Sequence, residues 1–241
     1  MTITARRYRG GNGLRRAVDV ILAAAAAVVL APVTAVAALL VRWRMGPPAL
    51  FWQRRSGLYG REFDICKFRT MRAERYAGEP DPERLTSLGR VLRSTSLDEL
   101  PQLWNVLRGE MALIGPRPTL PEQVAHYDMR QRGRLAVRPG ITGWAQVEAR
   151  NSIPWPERIE LDLWYVEHRS WALDGRIVLF TAVRLLRPRG VTAVGGINPG
   201  FPQPAESPQP KAALSDECPG PRNQSQDGSL RGGDSIGLRA C

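Results

Sequence analysis

Asp98 and Glu99 are two adjacent carboxylates set between arginines, and their types and spacing could do chemistry. They lie in the run Arg93-Ser94-Thr95-Ser96-Leu97-Asp98-Glu99, and Arg117 follows in the stiff turn Gly115-Pro116-Arg117-Pro118. An acid in the first turn of a helix ordinarily caps and solvates that helix, and an isolated Ser-Leu-Asp-Glu would carry no other reading. Cations on both sides change its meaning. A helix N-terminus also attracts anions through its unpaired N–H groups. Carboxylates, arginines and a helix start together suit phosphoryl transfer, in which one acid attacks phosphorus or binds a metal while arginines hold phosphate oxygens.

The elements that must position these groups are legible on either side. Leu97, Leu100, Leu103, Trp104 and Leu107 recur at three- and four-residue intervals, which predicts one helix with the acids at its beginning. Ser96 and Glu99 have the spacing of a capping box. Pro101 either costs an early backbone bond or is itself the first helical residue. Gly109 ends the helix, and Ala112-Leu113-Ile114 is a short buried-strand candidate. Upstream, the alternation in Phe63-Asp64-Ile65-Cys66-Lys67-Phe68-Arg69-Thr70-Met71 puts Lys67 and Arg69 on the same strand face as Phe63 and Ile65. Cations sharing an apolar face need an anion opposite them. Downstream, Arg138-Pro139-Gly140-Ile141-Thr142-Gly143-Trp144 reads as a bend in which Trp144 anchors a core, or as a turn that gives Arg138 to substrate phosphates.

The N-terminal part has a different character. Arginines crowd residues 1–16, and the run from Val20 to Val41 carries no charge. At 1.5 Å per residue that run is long enough, roughly 30 Å, to cross a hydrocarbon core. It is long for the apolar part of a signal peptide. Pro32 lies in its middle, and Arg15, Arg16, Arg42 and Arg44 flank both ends, which would place both flanks in the cytoplasm. A re-entrant helix-break-helix bent near Pro32 satisfies both facts; a Pro-kinked spanning helix is the alternative. Asp19 is expected to pair locally with Arg15 and Arg16.

The rest of the chain reads more plainly. Arg72 to Arg84 is a polar surface loop, and Pro121 to Arg134 a polar helix carrying a solvent-exposed His126. Pro156 to His168, and a segment capped by Asp174, suit helices lying in a membrane interface, although a soluble core would use the same pattern. Beyond Arg187 the composition turns to Pro, Gly, Ser and Gln, the mark of a disordered tail.

Composition bounds the whole. With 241 residues and 43% hydrophobic content the chain can bury one good core, and a second domain would be cramped. The net charge of +11 rests on arginine, Lys67 and Lys211 being the only lysines, and it fits nucleic acid, anionic lipid or phosphorylated substrates equally. Cys66, Cys218 and Cys241 give neither a disulfide framework nor metal-ligand spacing.

Arg93, the run Ser96 to Leu103, Asn105-Val106-Leu107, Gly109, Gly115-Pro116-Arg117-Pro118, Lys67-Phe68-Arg69-Thr70-Met71 and the Arg138 to Val147 stretch together resemble the core of the bacterial sugar transferases, the monotopic polyprenyl-phosphate phosphoglycosyl transferases. The likeness runs from about Arg15 to about Arg187. It implies an α/β fold: a small mixed helix-strand domain on the membrane surface, with the re-entrant element at 17–45, a catalytic domain at 46–187 and interfacial amphipathic helices. It implies a nucleotide diphosphate sugar, commonly a uridine one, as donor and a polyprenyl phosphate as acceptor at the cytoplasmic face of the membrane, with Asp98 as covalent acceptor. Glu99 would bind Mg²⁺ or act as acid or base, with Asp98 beside it at the metal. Lys67, Arg69, Arg93, Arg117 and Arg138 would contact phosphates. In the family the break usually carries a proline, here Pro32, although Ala31 stands where relatives often have a small polar residue.

A membrane-attached basic protein that grips anionic lipid or nucleic acid without catalysis would also explain the charge. It leaves the acids among the arginines unexplained, and no nucleic-acid motif is present, so no nucleic acid is expected as a partner. A scaffold of the same fold without activity is opposed by the intact acids and arginines.

Overall fold

The computed structural model describes residues 12–148 and 153–186. The greater part of the basic N-terminal segment and the whole 188–241 tail lie outside the described residues.

The uncharged run folds as two helices, α1 (Asn12–Val29) and α2 (Ala31–Met45), bent by 62° at Leu30. Neither helix alone is long and apolar enough to cross a membrane. The break falls ahead of Pro32, which sits in the first turn of α2. That placement follows from proline chemistry: a residue without an N–H costs nothing where helical N–H groups are unpaired anyway, so the helix restarts just before it. The Thr34 hydroxyl and backbone N–H both donate to Leu30 O at 2.8 Å, closing the new first turn.

A hairpin follows, β1 (Leu50–Ser56) antiparallel to β2 (Glu62–Phe68). Its register pairs Phe51 with Lys67 and Arg55 with Phe63, and cross-strand partners share a face. Lys67 therefore stands on the face that carries Phe63, Ile65 and Arg55. Phe63 and Ile65 pack with Ala23 of α1 and with Val106 and Met111. The strand ends at Phe68, so Arg69 lies beyond it.

The segment 72–84, expected as a plain loop, is tied down by buried Glu79, which accepts from both terminal nitrogens of Arg72 and from Arg75 N. It contains the short helix α3 (Asp81–Arg84). Thr86 caps α4 (Ser87–Ser94), its hydroxyl oxygen accepting from Gly89 N at 2.9 Å. Gly89 lets α4 lie directly on the chain after β2, since a Cβ there would stand 2.0 Å from Thr70 O.

The single helix expected from Ser96 onward is two pieces. A 3₁₀ turn, Leu97–Glu99, is followed by α5 (Gln102–Arg108) with Pro101 at its N-cap. The expected single apolar face is divided as well: Leu97 packs against the cluster of Ala37, Val41, Phe68 and Leu92, whereas Leu103 packs against that of Phe63, Ile65 and Val106. Pro101 supplies no N–H, and the helix settles into register only after it. Gly109, at φ 87°, ends α5 in the left-handed conformation, as its residue type requires.

β3 (Ala112–Ile114) pairs in parallel with β4 (Gly140–Thr142). Between them lie α6 (Pro121–Ala125) and a 3₁₀ stretch, Gln131–Ala136, in place of one polar helix. α7 (Trp144–Glu148) follows β4, and α8 (Trp155–His168) and α9 (Trp171–Leu186) complete the domain. Val137, Val147, Tyr165, Val166 and Ile177 form the core there, with Trp144 against it. Asp174 lies inside the first turn of α9, paired to Arg15 and accepting from the Tyr165 hydroxyl at 2.7 Å. Asp19 does not pair locally with Arg15: it accepts from Leu113 N at 3.1 Å and so fastens α1 to β3. The result is a mixed helix-strand domain with two small sheets.

Candidate active site

The two acids sit on the 3₁₀ turn because the chain reverses sharply just before it. Ser96 has φ 57° and ψ 15°, the left-handed region that non-glycine residues rarely adopt. The expected capping box does not form, since the Ser96 side chain makes no cap hydrogen bond. Glu99 turns instead to cations. Its Oε1 accepts from Lys67 Nζ at 3.2 Å and from Arg117 Nη2 at 2.6 Å. Three sequence-distant elements, β2, the acid turn and the chain after β3, thus meet on one carboxylate oxygen.

The register that brings Lys67 there is fixed by buried Asn105 of α5. Its Oδ1 accepts from Cys66 N at 3.1 Å, and its Nδ2 donates to Asp64 O at 2.8 Å. One amide thereby locks the edge of β2 to the helix that follows the acids.

The electrostatics divide the pair. Burial, with the adjacent Glu99 charge, pushes the Asp98 carboxyl up to about 6, against the pull of Lys67, Arg117 and Arg93. Asp98 is thus not held fully ionised by its neighbours, as a first-turn acid beside Arg93 would be. It is mostly ionised at pH 7 and less so below about 6. Burial also opposes the charge of Glu99, yet Arg117 and Lys67 overcome it and hold this carboxyl at about 2. Among the described residues neither oxygen of Asp98 accepts a hydrogen bond, and Glu99 Oε2 is likewise open. One acid is therefore a clamped anion and its neighbour an unclamped carboxylate at the centre of three cations.

Of the five expected phosphate-binding cations, Lys67, Arg117 and Arg93 gather around the acids. Arg93 is aimed by its Nε, which donates to Thr70 Oγ1 at 3.0 Å. Arg69 and Arg138 are not brought to this cluster. The Arg69 guanidinium donates to Met45 O, Gly46 O and, at 3.3 Å, Pro47 O, satisfying the carbonyls that end α2. Arg138 Nε donates to Gly109 O at 2.9 Å, at the end of α5.

Two supporting features escaped the sequence reading. Arg55, half-buried on the Lys67 face, donates to Gln53 Oε1 at 2.5 Å and Pro118 O at 3.4 Å; burial and the neighbouring Arg117 charge lower it to about 10. The run Leu50–Ser56 does not alternate, so no pattern within it marks Arg55; its face is set by the register that puts it opposite Phe63. Arg134 is buried in an ion pair with Asp162 and also donates to the Tyr127 hydroxyl at 2.5 Å and to Arg117 O at 3.0 Å. It holds the backbone from which Arg117 projects. No local pattern reports that pair, because its members are far apart in sequence. Replacing Arg134 by Ala strands the buried Asp162 charge and should cost about 3–5 kcal/mol of stability, read from denaturant unfolding. A loss under about 1 kcal/mol would mean that the pair carries little.

Among the described residues no group of three or more acidic, histidine or cysteine side chains is arranged as a metal cage. The open oxygens of Asp98 and Glu99 fit a hard cation that completes its shell with substrate phosphates.

A model of the family described as bacterial sugar transferase matches residues 11–188. The chain belongs to this family. Among its relatives it is 46% identical over 155 residues to an uncharacterized sugar transferase, EpsL, of Bacillus subtilis, a match covering 63% of this chain and 77% of that protein. It is 42% identical over 182 residues to the UDP-glucose:undecaprenyl-phosphate glucose-1-phosphate transferase of Xanthomonas campestris, covering 70% of this chain but 38% of that protein. The exopolysaccharide production protein ExoY of Sinorhizobium fredii is 35% identical over 200 residues, with 75% and 88% covered. The family match spans all the residues that build the acid cluster, so this candidate site lies in the part the transferase shares with its family.

Proposed function

We propose that this transferase moves a sugar 1-phosphate from a nucleoside diphosphate sugar, a UDP-sugar first among candidates, to a membrane polyprenyl phosphate. The observation that carries the proposal is the open Asp98 carboxylate beside a Glu99 clamped by Lys67 and Arg117, with Arg93 adjacent. The activity for which the Xanthomonas relative is named supports the substrate class.

Asp98 attacks the phosphorus that carries the sugar. The bond to the bridging diphosphate oxygen breaks, the nucleoside monophosphate leaves with that oxygen, and an aspartyl phosphosugar forms. A polyprenyl phosphate oxygen then attacks the same phosphorus and frees Asp98, giving the polyprenyl diphosphate sugar. Lys67, Arg117 and Arg93 hold the oxygens on which charge grows. Mg²⁺, held by Asp98 and Glu99, would neutralise diphosphate charge. A non-catalytic anion binder is the weaker reading, because clamping two cations on Glu99 reduces the charge offered to an anion.

Two tests apply. If Asp98 must be ionised in the free enzyme, kcat/KM falls about tenfold per pH unit below an acid limb at or under pH 6, and more Mg²⁺ moves the limb lower. A rate flat from pH 7 to 4.5 would contradict a carboxylate nucleophile here. For the membrane element, we infer that the 62° bend returns the chain to the side it entered from, the cytoplasmic one. Single cysteines near Arg9 and near Arg61, in a background without native cysteines, should then be labelled alike by an impermeant thiol reagent in intact cells, whereas opposite labelling would establish a spanning element.

A further inference from the structure

A second cationic cleft lies apart from the acid pair. It encloses about 360 Å³ of space open to solvent, and its lining includes Arg15, Arg16, Asp19, Tyr59, Arg138 and Arg169. The cations that act on Asp98 and Glu99 are Lys67, Arg117 and Arg93, and none of them lines it.

The cleft has more positive charge than its own acids neutralise. Asp174 takes Arg15, and Asp19 Oδ1 is occupied by Leu113 N. Arg16, Arg138 and Arg169 form no ion pair among the described residues. Arg16 donates to two carbonyls, Leu107 O at 3.0 Å and Met111 O at 3.5 Å, and Arg138 to one, Gly109 O, which satisfies hydrogen bonds without cancelling charge. Arg169 Nε is buried without a hydrogen-bond partner, while the rest of its guanidinium meets the neutral Tyr165 hydroxyl and shares the single charge of Asp19 with Arg16. Guanidinium groups gathered in a cleft repel one another unless an anion joins them.

The surroundings say which anion. Arg15 lies 4.6 Å over the ring of Trp171, which is half exposed where α9 begins. From there α9 turns Val178, Leu179 and Val183 to the outside, while α1, starting at the same arginines, exposes Ile21, Leu22, Val28 and Val29. Arginines and a half-exposed tryptophan beside exposed apolar side chains are the groups that suit the headgroup region of a bilayer leaflet and the acyl chains next to it.

We propose that this cleft binds the phosphodiester headgroup of an anionic membrane lipid through Arg16, Arg138 and Arg169, separately from the reacting diphosphates. Paired guanidinium N–H groups match phosphate oxygens in charge and geometry. The contact sets the depth at which α1 and α9 meet the lipid, and it gives Arg138 a partner that the acid cluster does not supply.

The test uses the purified full-length protein in neutral detergent, with melting followed as short-chain phosphatidylglycerol, short-chain phosphatidylcholine or inorganic phosphate is added. Phosphatidylglycerol should raise the melting temperature saturably, and zwitterionic phosphatidylcholine at equal concentration should not. Arg169→Gln should weaken the apparent affinity about tenfold. Arg169→Lys should recover part of it, and Arg130→Gln, which alters an exposed arginine elsewhere, none of the loss. If Arg169→Gln lowers basal melting, the concentration dependence of the shift still reports affinity. An equal, Arg169-dependent response to inorganic phosphate would support the phosphate site and overturn lipid as its source. Equal phosphatidylglycerol responses in wild type and Arg169→Gln, or an equal response to phosphatidylcholine, would overturn the site. None of these outcomes depends on turnover, so a failure here leaves the proposed reaction standing.

Discussion

Asp98→Asn should abolish turnover, by at least about 10⁴-fold, while the protein folds and stays membrane-bound. The amide has nearly the shape of the carboxylate but cannot form an acyl phosphate. The stability change separates this loss from misfolding. Because the folded-state pKa of Asp98 is raised to about 6, protonation favours the fold: that stability is fully present below the ordinary carboxylate range and lost as pH rises through about 6. The uncharged Asn escapes the penalty, so the variant should melt at the same temperature as the wild type or higher at pH 7.5, with the gap closing as pH falls toward 4. An inactive variant that also melts well below the wild type at pH 7.5 would assign Asp98 a structural duty instead.

Glu99→Gln should lower kcat by about 10²–10³-fold, and for a different reason. Glu99 Oε1 is the point on which Lys67 and Arg117 converge, and a neutral amide leaves those cations to repel each other across the site. Their positions relax and Asp98 loses its like-charged neighbour, so its carboxyl should also titrate lower. The acid limb of the residual kcat/KM should therefore move down in pH. A rate loss with an unmoved limb would separate Glu99 from Asp98. Arg117→Ala in the same assay should raise KM as well as lower kcat, and Arg117→Lys should rescue only partly, since lysine keeps the charge without the planar fork.

Much of this site was legible before any fold was in hand, and what was hidden was hidden for physical reasons. The acids, the flanking arginines, the Gly109 stop and the Ala112–Ile114 strand follow from residue type and spacing, because each is a local preference. The capping box failed because its spacing is a local pattern, and two distant cations, Lys67 and Arg117, outcompete one backbone N–H for Glu99. Strand alternation placed Lys67 correctly on an apolar face, but it could not say that the strand ends at Phe68, beyond which Arg69 turns to the open carbonyls of α2. Asp19 and Arg15 looked like helix neighbours that would pair, yet each found a partner distant in sequence, Leu113 and Asp174. Such long-range pairs, like Arg134 with Asp162, are set by tertiary packing that no window of sequence contains. The break at Leu30 shows the reverse case: Pro32 marked the place to within two residues because its missing N–H dictates where a helix can begin.

The most direct test of the proposed chemistry is to mix the enzyme with a uridine diphosphate sugar and Mg²⁺ in the absence of polyprenyl phosphate. The expected result is release of nucleoside monophosphate in an amount approaching but not exceeding the enzyme, with a phosphosugar mass added to the peptide that contains Asp98 and discharged when the lipid phosphate is supplied. No release without lipid, and no adduct at Asp98 across a panel of donors that do turn over when lipid is present, would contradict the covalent route and replace it with direct transfer.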